Sequence, residues 1–187
     1  MADQGSEGLL SPYLRKKRLE AVAPYLRGMV LDFGCGVGAL AAMVHADHYL
    51  GVEIDSMSLQ QANLRFPTHC FASGLPNSSD KFDTIVALAV IEHVSDPAQF
   101  LRMLVAHLND TPTSRIVVTT PHPLVNWIHN AGAAIGLFSK CANEEHEDLL
   151  DSAKLEIAGN QAGLKLVSYQ HFLFGANQIA VYVKGVL

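Results

Sequence analysis

Val30-Leu31-Asp32-Phe33 is a short, largely apolar run that ends in Gly34-Cys35-Gly36-Val37-Gly38 and continues into Ala39-Leu40-Ala41-Ala42-Met43-Val44. Few structures accommodate that succession. It predicts a buried strand, then a turn whose glycines let the backbone pass beneath a ligand where a Cβ would collide, then a helix over 38–46 whose free N–H groups point at the same spot. The ligand implied is nucleotide-like. Gly34, Gly36 and Ala39 also satisfy the dinucleotide-binding pattern in its G-x-G-x-x-A form. The next acidic residue on an apolar strand is Glu53, in Tyr49-Leu50-Gly51-Val52-Glu53, where a ribose-binding carboxylate belongs for either a nicotinamide or another adenosine cofactor.

Asp32 separates these readings. It lies two residues before the first glycine, so it brings a carboxylate close to the ligand. That charge would repel a pyrophosphate and attract the ammonium of an amino-acid ligand. Further along come Leu75-Pro76, then Lys81-Phe82-Asp83-Thr84-Ile85-Val86-Ala87-Leu88-Ala89-Val90-Ile91-Glu92-His93-Val94, then Asp96-Pro97 opening a helix. This succession, from Val30 to about Thr120, resembles the class I S-adenosylmethionine-dependent methyltransferases. Within them it is most similar to the small-molecule branch that includes the ubiquinone and menaquinone biosynthesis enzymes.

The resemblance implies an α/β, Rossmann-like, doubly wound sheet of seven strands in the order 3-2-1-4-5-7-6. It also implies S-adenosyl-L-methionine as cofactor, with Gly34, Cys35, Gly36 and Gly38 against its methionine part and Asp32 holding the ammonium directly or through water. Glu53 would accept from both ribose hydroxyls, Ile54 would pack on the adenine, and the Ala87 carbonyl would face the ammonium. Two positions depart from the family. Phe71-Ala72 stands where many relatives carry Asp-Ala, so backbone groups of Ala72 and Ser73 would have to read the base edge. Ala89 replaces a residue that is often polar. A nicotinamide-dependent oxidoreductase and a non-catalytic S-adenosylmethionine-binding protein are the two competing readings.

The chain has 187 residues, 49% of them hydrophobic and 17% charged, which suits one soluble domain over 1–187 with a substantial core. Its net charge of −5 argues against a broad nucleic-acid-binding face, which needs clustered Lys and Arg. Arg15-Lys16-Lys17-Arg18, the one basic run, reads as the solvated face of a helix. Three widely spaced cysteines, Cys35, Cys70 and Cys141, fit a reducing compartment and no disulfide framework. With neither a secretory signal pattern nor a run of about 18 apolar residues, the expected location is cytoplasmic.

Residues 1–11 are polar and expected to fray. The hydrophobic pattern predicts a helix from Ser11-Pro12 to about Leu26. Strands are expected near 29–33, 49–53, 68–72, 82–87 and 115–120, alternating with helices over 38–46, 57–65, 97–109 and about 147–162. Such alternation predicts a parallel sheet covered on both faces. The last strands, 164–172 and 177–184, are separated by too few residues for a crossover helix and must form an antiparallel hairpin.

Methyl transfer leaves the protein to position an acceptor and, where needed, to take its proton. His93 in Glu92-His93-Val94, His122 in Thr120-Pro121-His122-Pro123 and His146 in Glu144-Glu145-His146-Glu147-Asp148 are the candidate catalytic bases. The last matches a histidine that relatives place before the final helix. The spacing of His122 and His129 is not that of a recognised ligand pair, so no metal is expected. His45, His48, His69, His107 and His171 have no motif around them. The segment 121–146 is too apolar at 123–138 for a solvated loop and reads as a lid or insertion over a hydrophobic acceptor pocket, with an added core helix or a dimer contact as alternatives. The expected partner is a small-molecule acceptor, methylated first of all at oxygen, with carbon and aliphatic amines as open alternatives; the end of the fourth strand lacks the Asn/Asp-Pro-Pro-aromatic motif of amide and base N-methylating relatives.

Overall fold

A computed structural model describes residues 11–123 and 150–185. The expectations for 1–10, for most of 121–146 and for His129, Cys141 and His146 fall outside the described residues. The chain order is α1 (Ser11–Val22), β1 (Val30–Phe33), β2 (Tyr49–Val52), α2 (Ser56–Arg65), β3 (Cys70–Ala72), β4 (Thr84–Leu88), α3 (Pro97–Val105), β5 (Arg115–Pro121), α4 (Ser152–Gln161), β6 (Leu164–Phe172) and β7 (Asn177–Lys184). One sheet holds all seven strands in the order β3-β2-β1-β4-β5-β7-β6. The first five pair in parallel and β7 runs antiparallel to both β5 and β6. This is the doubly wound order that the family resemblance implied, with the C-terminal hairpin that the short β6–β7 connection required.

Alternation along the strands builds the two faces. Leu31, Ile85, Ile116, Ala180 and Tyr182 point to one side, where Phe100, Leu101 and Leu104 of α3 and Leu155 of α4 cover them. Val30, Val86, Val117, Ile179 and Val181 point to the other, against Val22, Leu40 and Tyr49. Burial on both faces explains why the central strands read as continuous apolar runs. Three helices start on an aspartate that accepts a backbone N–H three residues on: Asp55 from Ser58 at 2.8 Å, Asp96 from Gln99 at 2.9 Å and Asp151 from Lys154 at 2.9 Å.

The helix expected over 38–46 is absent. A single 3-10 stretch, Ala39–Met43, follows Gly38, which is left-handed at φ 76°. A second 3-10 turn, Ala46–His48, then leads straight into β2. Of the fifteen residues between Phe33 and Tyr49, the glycine turn takes the first five and the Ala46–His48 turn the last three, and the chain between them winds as a 3-10 stretch. Leu40 and Ala41 are nevertheless buried, which is what the apolar pattern registered. The fourth and fifth helices of the sequence reading also shorten, to Pro97–Val105 and Ser152–Gln161.

The β6–β7 turn is strained. Leu173 and Phe174 both have φ of 55° and Gly175 follows at 88°, although only glycine adopts that region without steric cost. Phe174 is fully exposed, so packing does not offset the strain. Phe174→Asn is expected to raise stability by about 1 kcal/mol, about 2–4 °C in Tm, since Asn tolerates the left-handed region. A lower Tm in thermal unfolding would show that the ring makes a stabilising contact.

Candidate cofactor and acceptor site

The strand order reverses between β1 and β4, so their carboxyl ends open the crevice where an α/β sheet of this kind takes a ligand. The glycine turn lines it. Gly34 N–H and Cys35 N–H both donate to the Val52 carbonyl at the end of β2, at 2.8 and 3.1 Å, and Gly38 N–H donates to the Cys35 carbonyl at 3.0 Å. The turn thus spends these donors on itself, and with only a 3-10 stretch behind it no helix N-terminus faces the ligand. What it offers is space: a Cβ on Gly36 would meet no atom within 4 Å, whereas one on Gly34 would lie 2.6 Å from Val90. Gly34, Gly36 and Gly38 all have positive φ, so glycine is required at each.

Glu53 joins two loops. One carboxylate oxygen accepts from Gly36 N–H and the other from Asp55 N–H, both at 2.9 Å. Each oxygen retains a further lone-pair position, so two neighbouring hydroxyls remain within its capacity. Ile54, 86% exposed beside it, presents a bare apolar surface suited to a flat base.

Asp32 is only 2% exposed and accepts the Tyr49 hydroxyl at 2.7 Å. Burial pushes its carboxyl up to about 7, against the Tyr49 hydrogen bond, which lowers it, while the charge of Glu53 raises it further. An uncompensated carboxylate in such a place favours a cation. Burial also pushes the Cys35 thiol up to about 12, with the Asp32 and Glu53 charges adding to it, so this thiol is inert at neutral pH.

The departure at Phe71 has a packing reason. Its ring stacks edge-on against Tyr49 at 5.6 Å and fills the space that a Cβ on Gly38 or Gly51 would enter at 3.0 or 2.6 Å. Phe71 therefore braces the glycine turn. Ala72 directs its carbonyl to Glu53 N–H at 3.0 Å, and Ser73 is exposed next to it. Ala87 is fully buried, so its side chain packs in the core and only its backbone is available to a ligand. Ala89 has φ 56° and donates its N–H to the Thr119 carbonyl at 2.9 Å, which ties the ends of β4 and β5 together.

The candidate acceptor side draws on several elements. Glu92, in the 3-10 turn Ile91–His93 after β4, has its carboxyl raised by burial, with His93, Thr120 and Arg18 opposing. Arg18 comes from α1 and donates to Asn177 Oδ1 at 3.3 Å. His93 itself is exposed and His122 half-buried. The His122 ring packs edge-to-face against His171 with centroids 4.5 Å apart. Tyr169 and Gln178 adjoin that pair through hydrogen bonds. Sequence reasoning passed over His171, Tyr169 and Gln178. The available signal was the alternation Tyr169-x-His171 on one face of an edge strand, but nothing local connects it to His122. Among the described residues no three His, Cys, Asp or Glu side chains gather as metal ligands.

The strand order and a glycine turn tied to the Glu53 carboxylate at the end of β2 define a class I methyltransferase-like domain. A methyltransferase domain model matches residues 9–169, and the chain belongs to that family. Among similar curated proteins, the ubiquinone biosynthesis O-methyltransferase of Parvibaculum lavamentivorans is 36% identical over 44% of this chain and 36% of its own length. The enzyme of that name from Aeromonas salmonicida is 24% identical over 72% of this chain and 62% of its own. The chain thus spans between about a third and two thirds of the curated relatives it matches. Among solved structures, magnesium protoporphyrin IX methyltransferase from Synechocystis PCC 6803 with bound S-adenosylmethionine superposes with TM-score 0.67 at 14% identity, covering 97% of this chain and 86% of that one.

Proposed function

We propose that the protein transfers a methyl group from S-adenosylmethionine to a hydroxyl of a hydrophobic small molecule. The observation that carries the acceptor class is the rim beyond β4 and β5. Leu88 and Val90 are apolar and half-buried there, and the His122 imidazole stands at the end of the neighbouring strand. Burial, with His171 beside it, lowers the His122 pKa against Asp151, so the ring stays neutral and able to accept a proton.

When bound, S-adenosylmethionine supplies a sulfonium methyl already activated for in-line displacement. Glu53 holds the ribose diol, Ile54 covers the adenine with Ala72 and Ser73 at its edge, and the open space over Gly36 admits the methionine part. Asp32 compensates the ammonium from below, and the Ala87 backbone lies nearby. His122 takes the acceptor proton; His93 lies on the cofactor side, and His146 stands as a second candidate base from the sequence alone. The free thiols of Cys35 and Cys70 suit a reducing cytoplasm. No helix among the described residues is long and apolar enough to cross a membrane.

Calorimetric titration with S-adenosylhomocysteine should show micromolar binding that exceeds any binding of NAD. Labelled methyl from S-adenosylmethionine should then appear in alkyl phenols or catechols before alkyl amines. Tighter binding of NAD would overturn the cofactor assignment, and preferential labelling of amines would overturn the acceptor assignment.

A further inference from the structure

Gln178 is fully buried, and its side-chain amide donates to two carbonyls, Pro121 at 3.0 Å and Leu150. Both Nε2 hydrogens are therefore committed, and turning the amide over would set its oxygen against two other oxygens. Its Oε1 must face Tyr169, whose hydroxyl lies 2.6 Å away. An amide oxygen only accepts, so the single Tyr169 proton goes to Gln178. The Tyr169 oxygen also lies 2.8 Å from His171 Nε2 and, its proton already given, can only accept there. His171 Nε2 must then carry a hydrogen. In the neutral ring Nδ1 is left as the basic nitrogen.

This chain of single choices runs along one row of the sheet. Thr120, Gln178 and His171 are cross-strand partners on β5, β7 and β6, and Tyr169 shares the face of His171 two residues back. Two strand spacings put the His171 backbone about 10 Å from β5, and its ring meets the end of β5 through His122, with 4.5 Å between centroids. His122, which follows β5 and anchors its N–H on the Ala176 carbonyl at 3.0 Å, is the nearer ring.

We propose that His171 is the positioning residue for His122: its tautomer is locked by Tyr169 and Gln178, and its ring braces the His122 imidazole edge-to-face. The proposal rests on the methyl-transfer reading above and assigns a role to three residues outside the family's motifs. In the step it serves, the acceptor oxygen forms a bond to the methyl carbon and the S–CH3 bond breaks with its electron pair returning to sulfur. The acceptor proton moves to His122. The sulfonium charge is thereby replaced by an imidazolium, and atoms and charge balance. Burial and His171 lower the His122 pKa, while Asp151, just ahead of α4, works in the opposite direction. Tyr169 stays a neutral phenol, because burial and Asp151 raise its pKa.

The test is a pH titration of the histidine rings by nitrogen-15 NMR on the full chain. It compares the unaltered protein with His171→Phe and Tyr169→Phe, with S-adenosylhomocysteine affinity measured in parallel. In the unaltered protein His171 should show the Nε2–H tautomer, and Tyr169→Phe should convert it to a mixture. His171→Phe keeps an aromatic ring against His122 but removes the second imidazole, so His122 should titrate at a higher pH. Should His171→Phe fail to fold, Tyr169→Phe still decides through the tautomer. An unchanged His122 titration in His171→Phe, or the Nδ1–H tautomer in the unaltered protein, would overturn the proposal. Absence of S-adenosylhomocysteine binding in the unaltered protein would instead remove the methyl-transfer reading, and the ring titration would still report on His171.

Discussion

Glu53→Ala is expected to weaken S-adenosylhomocysteine binding roughly 30- to 150-fold, about 2–3 kcal/mol, the value of one to two charge-assisted hydrogen bonds. The carboxylate is fixed before any ligand arrives, by Gly36 N–H on one oxygen and Asp55 N–H on the other. Little orienting entropy is then lost on binding, and the hydroxyls meet acceptors already in place. Because the substitution also leaves those two N–H groups without their partner, it should cost about 1–2 kcal/mol of stability. Glu53→Gln separates the two effects, since it keeps one acceptor oxygen. Its stability should fall less than that of the alanine variant, while its affinity still drops severalfold. If Glu53→Ala loses stability but binds within twofold of the unaltered protein, Glu53 only staples the turn.

Asp32→Asn should move stability and binding in opposite directions. The Asp32 carboxyl is raised from 3.8 to about 7, mainly by burial. A carboxyl whose folded pKa lies above its unfolded one contributes stability that is fully present below about pH 4 and lost as pH rises through about 7. The ligand-free protein should therefore lose stability across that window, and Asp32→Asn should flatten the loss. At pH 8 the variant should be the more stable by about 2 kcal/mol, roughly 4–8 °C in Tm. The Tyr49 hydroxyl keeps an acceptor in asparagine, so the gain is electrostatic. Near pH 7 Asp32 is about half protonated, and a bound ammonium favours the charged form, so binding to the unaltered protein should release about half a proton. Calorimetry in buffers of different ionisation enthalpy reads that number directly. Asp32→Asn should abolish the release and weaken binding about tenfold. Binding without proton release at pH 7 would mean that Asp32 supports Tyr49 and never meets the ligand's charge.

Local pattern carried the sheet a long way. Val30–Phe33 and Thr84–Leu88 read as strands because burial on both faces leaves an unbroken apolar run, and the structure places both at its centre. The final hairpin followed from loop length alone, and its strands match the expected ranges at Leu164–Phe172 and Asn177–Lys184. The helix over 38–46 failed because apolar composition registers burial and not handedness. Gly38, left-handed at φ 76°, leads into a 3-10 stretch that buries Leu40 and Ala41 without an α-helix.

The strands, the position of the glycine turn and the Glu53 carboxylate were legible in the chain, because each depends on residues within one turn or one strand of each other. What joins across distance came from the assembled fold. Phe71 braces the glycine turn, since β2 and β3 bring its ring against Tyr49 and under Gly38 and Gly51. His171 meets His122 because β5 pairs with β7 and β7 with β6, closing 49 residues of separation through two ladders. A hydrogen-bond chain from Gln178 to Tyr169 to His171 exists only where three strands are in register, and register is a property of the assembled sheet.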